Sequence, residues 1–169
     1  MQNSISGSSL ETTLLTLQIH LKLDRIDLAT KQYQKLQKMD EDSILCQLAS
    51  VYLHLAQGQA KAGDAIHTLN SLTEQYGSCP QLANLLACAL LQQGDYSGAE
   101  QALQEALQDT ESVLPDTLIN LIVASVQQNK PCESYITQLQ QNYPWHPFCA
   151  GLERVTSAFD REAVKYHVA

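Results

Sequence analysis

Residues Pro80 to Gln108 read PQLANLLACALLQQGDYSGAEQALQEALQ. A proline opens the segment, where its missing N–H costs a helix nothing. Leu82, Leu86, Ala87 and Leu90 then fall on one face at the 3.6-residue period. Gly94-Asp95-Tyr96 breaks the pattern, and Ala99, Leu103 and Ala106 resume it on a second helix. The unit is therefore a helix, a tight turn and a helix, with small residues at Ala87 and Ala99 where the two backbones approach.

The same unit recurs along the chain. Ala29, Ala65, Ala99 and Ser134 occupy one position in it, at intervals of 36, 34 and 35 residues. A two-helix repeat near 34 residues is the mark of a tetratricopeptide array. The expected fold is thus an all-α right-handed superhelix of about four helix pairs plus a C-terminal capping helix. Residues 1–9 are polar and read as a flexible segment ahead of a repeat domain over 10–169. The pairs are expected at Leu10–Leu23 with Asp27–Met39, Ser43–Gln57 with Gly63–Tyr76, Pro80 to Gln108, and Pro115 to Tyr143. Asp27 is placed to cap its helix, and Asp42 or Ser43 to start the next. Aligning the second pair with the third requires about four extra residues in its turn. Asn129 stands where glycine usually ends a helix and tolerates the left-handed conformation. A last helix, about Cys149–Tyr166, carries Leu152, Val155, Phe159 and Val164 on one face and is expected to cap the array.

Composition narrows the function. The net charge is -8 over 169 residues. From Asp40 to Glu133 there are twelve carboxylates, against Lys61 and Lys130 alone as cations. Such a surface repels phosphate backbones and anionic membranes, which speaks against nucleic acid as a partner. The chain has no glycine-rich phosphate loop and no H-E-x-x-H or C-x-x-C pattern, so no cofactor, metal or catalytic residue is nominated. Cys46, Cys79, Cys88, Cys132 and Cys149 are odd in number and lie in or beside apolar helical stretches. They read as reduced, buried thiols of a reducing compartment, with a thiol-dependent enzyme as a remote alternative. His20, His54, His67, His146 and His167 show no ligand spacing, and His20 falls at a packing position.

In an array of this kind the first helix of each pair lines the concave side. Projecting the period from the aligned small residues gives candidate groove positions Leu14, Gln18 and Leu21; Cys46, Ser50, Leu53 and His54; Asn84, Cys88 and Leu91; and Ile119, Val123 and Val126. Ala29, Ala65, Ala87, Ala99 and Ser134 are the expected packing positions between helices. The groove positions are mostly apolar and include no Lys or Arg, so clamping an acidic peptide tail is disfavoured. Two readings stay open: side chains filling a tightly wound superhelix, or an apolar channel closed by a long-lived partner.

Particular stretches also carry a likeness beyond the period. Leu21-Lys22-Leu23-Asp24-Arg25-Ile26-Asp27-Leu28-Ala29, Met39-Asp40-Glu41-Asp42 with Gln47-Leu48-Ala49, and Glu100 with Leu103-Gln104-Glu105-Ala106-Leu107 resemble the coatomer epsilon subunit family. So do Thr117-Leu118-Ile119-Asn120-Leu121-Ile122-Val123, Lys130-Pro131, His146-Pro147-Phe148 and Phe159-Asp160-Arg161, in order to the tail. The resemblance implies a non-enzymatic structural subunit of a cytoplasmic vesicle coat, peripheral on Golgi membranes and coated vesicles. That coat serves Golgi-to-endoplasmic-reticulum retrograde and intra-Golgi transport. It further implies pairing with the C-terminal domain of the coatomer alpha subunit, indirect contact with other coatomer subunits, and membrane association only through the coat. Family members carry further repeats upstream of the segment matching Leu10, so the likeness is to the C-terminal part of the subunit. A generic tetratricopeptide adaptor of another complex is the alternative, fitting the repeats but not the ordered matches between them.

Overall fold

The computed structural model describes residues 9–108 and 113–166, with nothing said of the Gln108 side chain. The described residues form nine helices and no strands: α1 (Leu10–Lys22), α2 (Ile26–Met39), α3 (Ile44–Gln57), α4 (Gln59–Tyr76), α5 (Pro80–Gln93), α6 (Tyr96–Gln108), α7 (Pro115–Gln127), α8 (Glu133–Asn142) and α9 (Pro147–Lys165). The fold is the expected all-α helical array. Residues 1–8 of the expected flexible segment lie outside the described residues. Ser9 accepts a hydrogen bond from the Thr12 N–H and caps α1.

Three of the four intra-pair turns use one device. Asp24, Gly94 and Asn129 sit at φ of 56°, 85° and 54°. The following N–H then reaches back across the helix end, from Arg25 to His20, Asp95 to Leu90 and Lys130 to Ser125, at 2.9, 3.0 and 2.9 Å. Orphan carbonyls are thereby satisfied in the manner of a left-handed C-cap. Asn129 does what glycine does at Gly94.

The second pair departs from this. Gly58 takes φ 80° and ψ -160°, a region open in practice only to glycine, and α4 begins at the very next residue. The four residues expected to lengthen that turn instead form the first turn of α4. Ala62 within them is fully buried.

Other starts follow local chemistry. Ser43 caps α3, its hydroxyl accepting from the Cys46 N–H at 3.2 Å. Asp27 does not cap α2. Arg25 precedes that helix and grips the Asp27 carboxylate with bonds of 2.9 and 2.8 Å, which holds its pKa down to about 2. Asp95 takes the capping role ahead of α6, accepting from the Gly98 N–H at 2.9 Å.

Four hydrophobic clusters run in series through the array. Leu17, Ala29, Leu36, Ala49 and Leu53 anchor the first; Val51, Ala65, Leu69 and Leu72 the second. Ala87, Ala99, Leu103 and Leu121 form the third, and Leu118, Ile122, Leu139 and Cys149 the fourth. Each belongs to adjacent pairs only, as expected for a quasi-one-dimensional stack. Ala29, Ala65, Ala87 and Ala99 all have zero exposure.

Ser134 does not join them; it is exposed. Pro131 cannot donate a backbone bond and α8 starts only at Glu133, so Ser134 lies in its first turn, away from the crossing. Tyr135 and Leu139 fill that space instead.

The expected cap is also different. α9 docks through its first turn, where Phe148 packs on the fourth cluster and the Cys149 thiol lies 3.5 Å from the Tyr143 carbonyl oxygen. Beyond that turn Val155, Phe159 and Val164 are 65%, 68% and 76% exposed. The Tyr143-Pro144-Trp145-His146 turn directs the helix off the array, so its apolar stripe beyond the half-buried Leu152 stays uncovered by the described residues. The Tyr143 hydroxyl donates to the Val113 carbonyl and ties this turn to the start of α7.

Replacing Ala99, a fully buried residue at the α5–α6 crossing, with Leu forces the backbones apart. Ala99→Leu should lower unfolding free energy by about 1–3 kcal/mol, read from urea denaturation followed by circular dichroism.

Candidate partner-binding groove

The odd-numbered helices touch in succession, α1 with α3, α3 with α5 and α5 with α7. No pair of even-numbered helices makes more than a glancing contact. A stack in contact along one row and splayed along the other is curved, with the contacting row inside. The first helices of the pairs therefore line the concave side.

A cavity of about 270 Å³ opens on this side between α3, α5 and α7. Its walls are Tyr52, Gln81, Asn84, Leu85, Cys88, Leu114, Asp116, Ile119 and Asn120. Of the positions projected from the sequence, Asn84, Cys88 and Ile119 meet here. Val123 and Val126 lie further along α7, at 37% and 54% exposure. Leu91 is half-buried against the third cluster, and Leu14 and Leu21 pack against the first, beside the half-buried Gln18.

The α3 positions do not line this groove. Cys46, Ser50 and Leu53 are buried, and Tyr52, on a neighbouring face of α3, lines the groove instead. Cys46 and Ser50 form the floor of a separate polar cleft of about 330 Å³ between α2 and α4, with Tyr33, Glu41, Gln47, His67, Thr68 and Ser71. That cleft lies on the splayed, convex row. His54 is half-buried; its Nδ1 and that of His20 have no hydrogen-bond partner among the described residues. Burial holds the His54 imidazole below its ordinary pKa.

A polar ladder crosses the floor of the concave cavity. The Asn84 amide nitrogen donates to the Pro80 carbonyl and to the Thr117 hydroxyl, both at 2.8 Å. The Asn84 oxygen accepts from the Asn120 amide at 3.1 Å, and the Cys88 thiol donates to the Asn120 oxygen at 3.8 Å. Sequence reasoning singles out Asn84 and misses Asn120, Tyr52, Gln81, Leu85, Leu114 and Asp116. The recurrence of Asn at a 36-residue interval, Asn84 to Asn120, is the available signal.

Glu100 joins α6 to the α7–α8 turn. Its carboxylate accepts from Lys130 and, at 2.9 Å, from the Gln128 amide. The bond from Lys130 holds the Glu100 carboxyl below its ordinary pKa.

Among the described residues no group of three or more His, Cys, Asp or Glu side chains is placed to hold a metal ion. Burial pushes the Cys46 and Cys88 thiols up, the reverse of what a nucleophile needs. No described helix is long and apolar enough to cross a membrane.

The family model described as the coatomer epsilon subunit matches residues 1–167. The chain belongs to the coatomer epsilon subunit family. It is similar to coatomer subunit epsilon-1 of Arabidopsis thaliana, at 34% identity over 160 residues, covering 95% of this chain and 53% of that protein. Coatomer subunit epsilon-1 of Oryza sativa subsp. japonica is likewise 34% identical over 160 residues, covering 95% of this chain and 54% of its own. Coatomer subunit epsilon of Caenorhabditis elegans is 30% identical over 148 residues, covering 86% and 50%. The chain spans about half the length of the curated relatives it matches. Membership in the coatomer epsilon family agrees with the ordered non-repeat matches in the sequence, Lys130-Pro131, His146-Pro147-Phe148 and Phe159-Asp160-Arg161.

Two measurements check this electrostatic picture. Glu100 has a lowered folded pKa, so its contribution is present above the unfolded value of about 4.3 and is lost as pH falls through the folded one. Glu100→Gln should lower stability at pH 7 by less than about 1 kcal/mol, since Lys130 is half-exposed. In urea titrations at pH 7 and pH 3 the gap between variant and wild type should close at the lower pH. Cys46 and Cys88 should react with a maleimide more slowly than free cysteine at pH 8, by mass spectrometry of the folded chain; reaction of either at the free-cysteine rate contradicts the placement.

Proposed function

We propose that this chain is a non-catalytic structural subunit of the coatomer coat. Its concave groove holds an extended segment from the C-terminal domain of the coatomer alpha subunit. Other coatomer subunits are reached through that partner. On this reading the chain is cytoplasmic, peripheral on Golgi membranes and coated vesicles, and serves retrograde Golgi-to-endoplasmic-reticulum and intra-Golgi transport. Membrane association comes through the coat alone.

The observation that carries the reading is the groove itself in a chain of this family. The concave row offers an apolar cavity walled by Tyr52, Leu85, Leu114 and Ile119, continuing along α7 to the exposed Val123 and Val126. No Lys or Arg lines the cavity, so it is unsuited to clamping a free carboxylate. Apolar surface of this kind suits an interface held within an assembly. The raised thiols of Cys46 and Cys88 favour scaffolding over thiol chemistry.

Val123 is exposed on the groove side of α7, so a charge there costs little in the free chain and much in a desolvated interface. Val123→Asp should keep the helical circular dichroism signal while weakening binding to the C-terminal domain of the alpha subunit at least tenfold by calorimetry. Wild-type affinity in this variant removes α7 from the interface.

A further inference from the structure

Among the polar side chains around the concave cavity, Asn120 is held by the ladder and still leaves groups unused. An amide carries two N–H donors and an oxygen with two lone pairs. One Asn120 donor goes to the Asn84 oxygen, and one lone pair receives the Cys88 thiol. Among the described residues the second donor and the second lone pair have no protein partner. Asn84, by contrast, has both donors and one lone pair of its oxygen engaged, and the residue is only 9% exposed. Its orientation is fixed because its nitrogen lies between two acceptors, the Pro80 carbonyl and the Thr117 hydroxyl. The ladder therefore sets which way the Asn120 amide points. A side chain held in one orientation loses little entropy when it binds.

A fixed amide with one free donor and one free acceptor is complementary to another amide. In an extended polypeptide each residue offers an N–H and a C=O, and alternate side chains project to the same side. Such a segment pairs its main chain with Asn120 and drops one side chain between Tyr52, Leu85 and Ile119. Charge then selects among segments. Asp116 is exposed at the cavity mouth, and the walls carry no cation to offset it. Over Asp40 to Glu133 the chain holds twelve carboxylates against two lysines. An acidic segment is repelled and a basic one attracted.

Resting on the groove as the seat of an alpha-subunit segment, we infer that Asn120 is the residue that reads that segment's main chain. The segment is extended and bears a large apolar residue next to a lysine or arginine, which faces Asp116. The polar floor thereby fixes register, and the apolar walls and Asp116 supply selectivity.

The test is calorimetric titration of the wild-type chain, Asn120→Leu and Asp116→Lys with the C-terminal domain of a coatomer alpha subunit, at low and at physiological salt. Leu matches Asn in shape and removes both the donor and the acceptor. Asn120→Leu should weaken binding about tenfold at either salt. Asp116→Lys should weaken it mainly at low salt and flatten the salt dependence. Asp116 is exposed, so this second variant keeps its fold should the first be destabilised, which melting curves detect. If the wild-type chain binds and both variants bind equally well, the inference is overturned while the groove reading stands. If only Asp116→Lys is neutral, the basic residue is struck from the segment. A wild-type chain that does not bind the domain overturns both the groove reading and this inference. Light scattering supplies one more outcome: a wild-type dimer that becomes a monomer as Asn120→Leu puts a second copy of the chain in the groove and overturns the assignment.

Discussion

The closeness of helix to helix at four alanines governs everything else in this molecule. Ala29, Ala65, Ala87 and Ala99 have no exposed surface, and each sits where two helices of the stack meet. A larger side chain there separates the backbones and loosens every contact downstream, because each repeat is held only by its neighbours. With those distances set, the first helices of the pairs touch along one row and the second helices splay along the other. Curvature is the direct result, and with it a concave face and a convex one. The left-handed turn residues Asp24, Gly94 and Asn129 bring the two helices of a pair to the same approach each time.

Curvature divides the polar chemistry. On the convex side the splay leaves a cleft of hydroxyl, amide, imidazole and carboxylate groups around Tyr33 and Ser50. On the concave side the contacting row leaves an apolar cavity with a single amide ladder across its floor. Burying that ladder carries a cost only if a group is left unpaired, and Asn84 leaves none. The ladder joins α5 to α7 across the cavity floor, so the same bonds that hold two repeats in register also shape the proposed partner surface. The exposed stripe of Val155, Phe159 and Val164 on α9 is a second uncovered apolar surface, apart from the groove.

Much of this is legible in the sequence because it depends on periodicity. The spacing of Ala29, Ala65 and Ala99, the opening Pro80 and Pro115, and the turn at Asn129 are local signals, and each sits in the structure where its chemistry requires. The departures lie chiefly where the second and fourth pairs leave the pattern of the third. In the second pair Gly58 reverses the chain within one residue, and the projected Cys46, Ser50 and Leu53 are buried while Tyr52 faces the groove. In the fourth, Pro131 delays α8 and takes Ser134 off the crossing. The Asn84–Asn120 bond spans 36 residues and depends on the relative rotation of two helices, which no single-helix period specifies. α9 covers the array only through its first turn; an amphipathic stripe tells only that a face is apolar, not what covers it.

The concave row, and no other surface, is where this coatomer epsilon family chain is proposed to meet its partner. Hydrogen–deuterium exchange on the chain, free and mixed with the C-terminal domain of a coatomer alpha subunit, tests that placement directly. Protection on binding is expected in α3, α5 and α7 alone, strongest in the peptides containing Tyr52, Cys88 and Asn120. Protection confined to the even-numbered helices, or to α9 beyond Cys149, contradicts it.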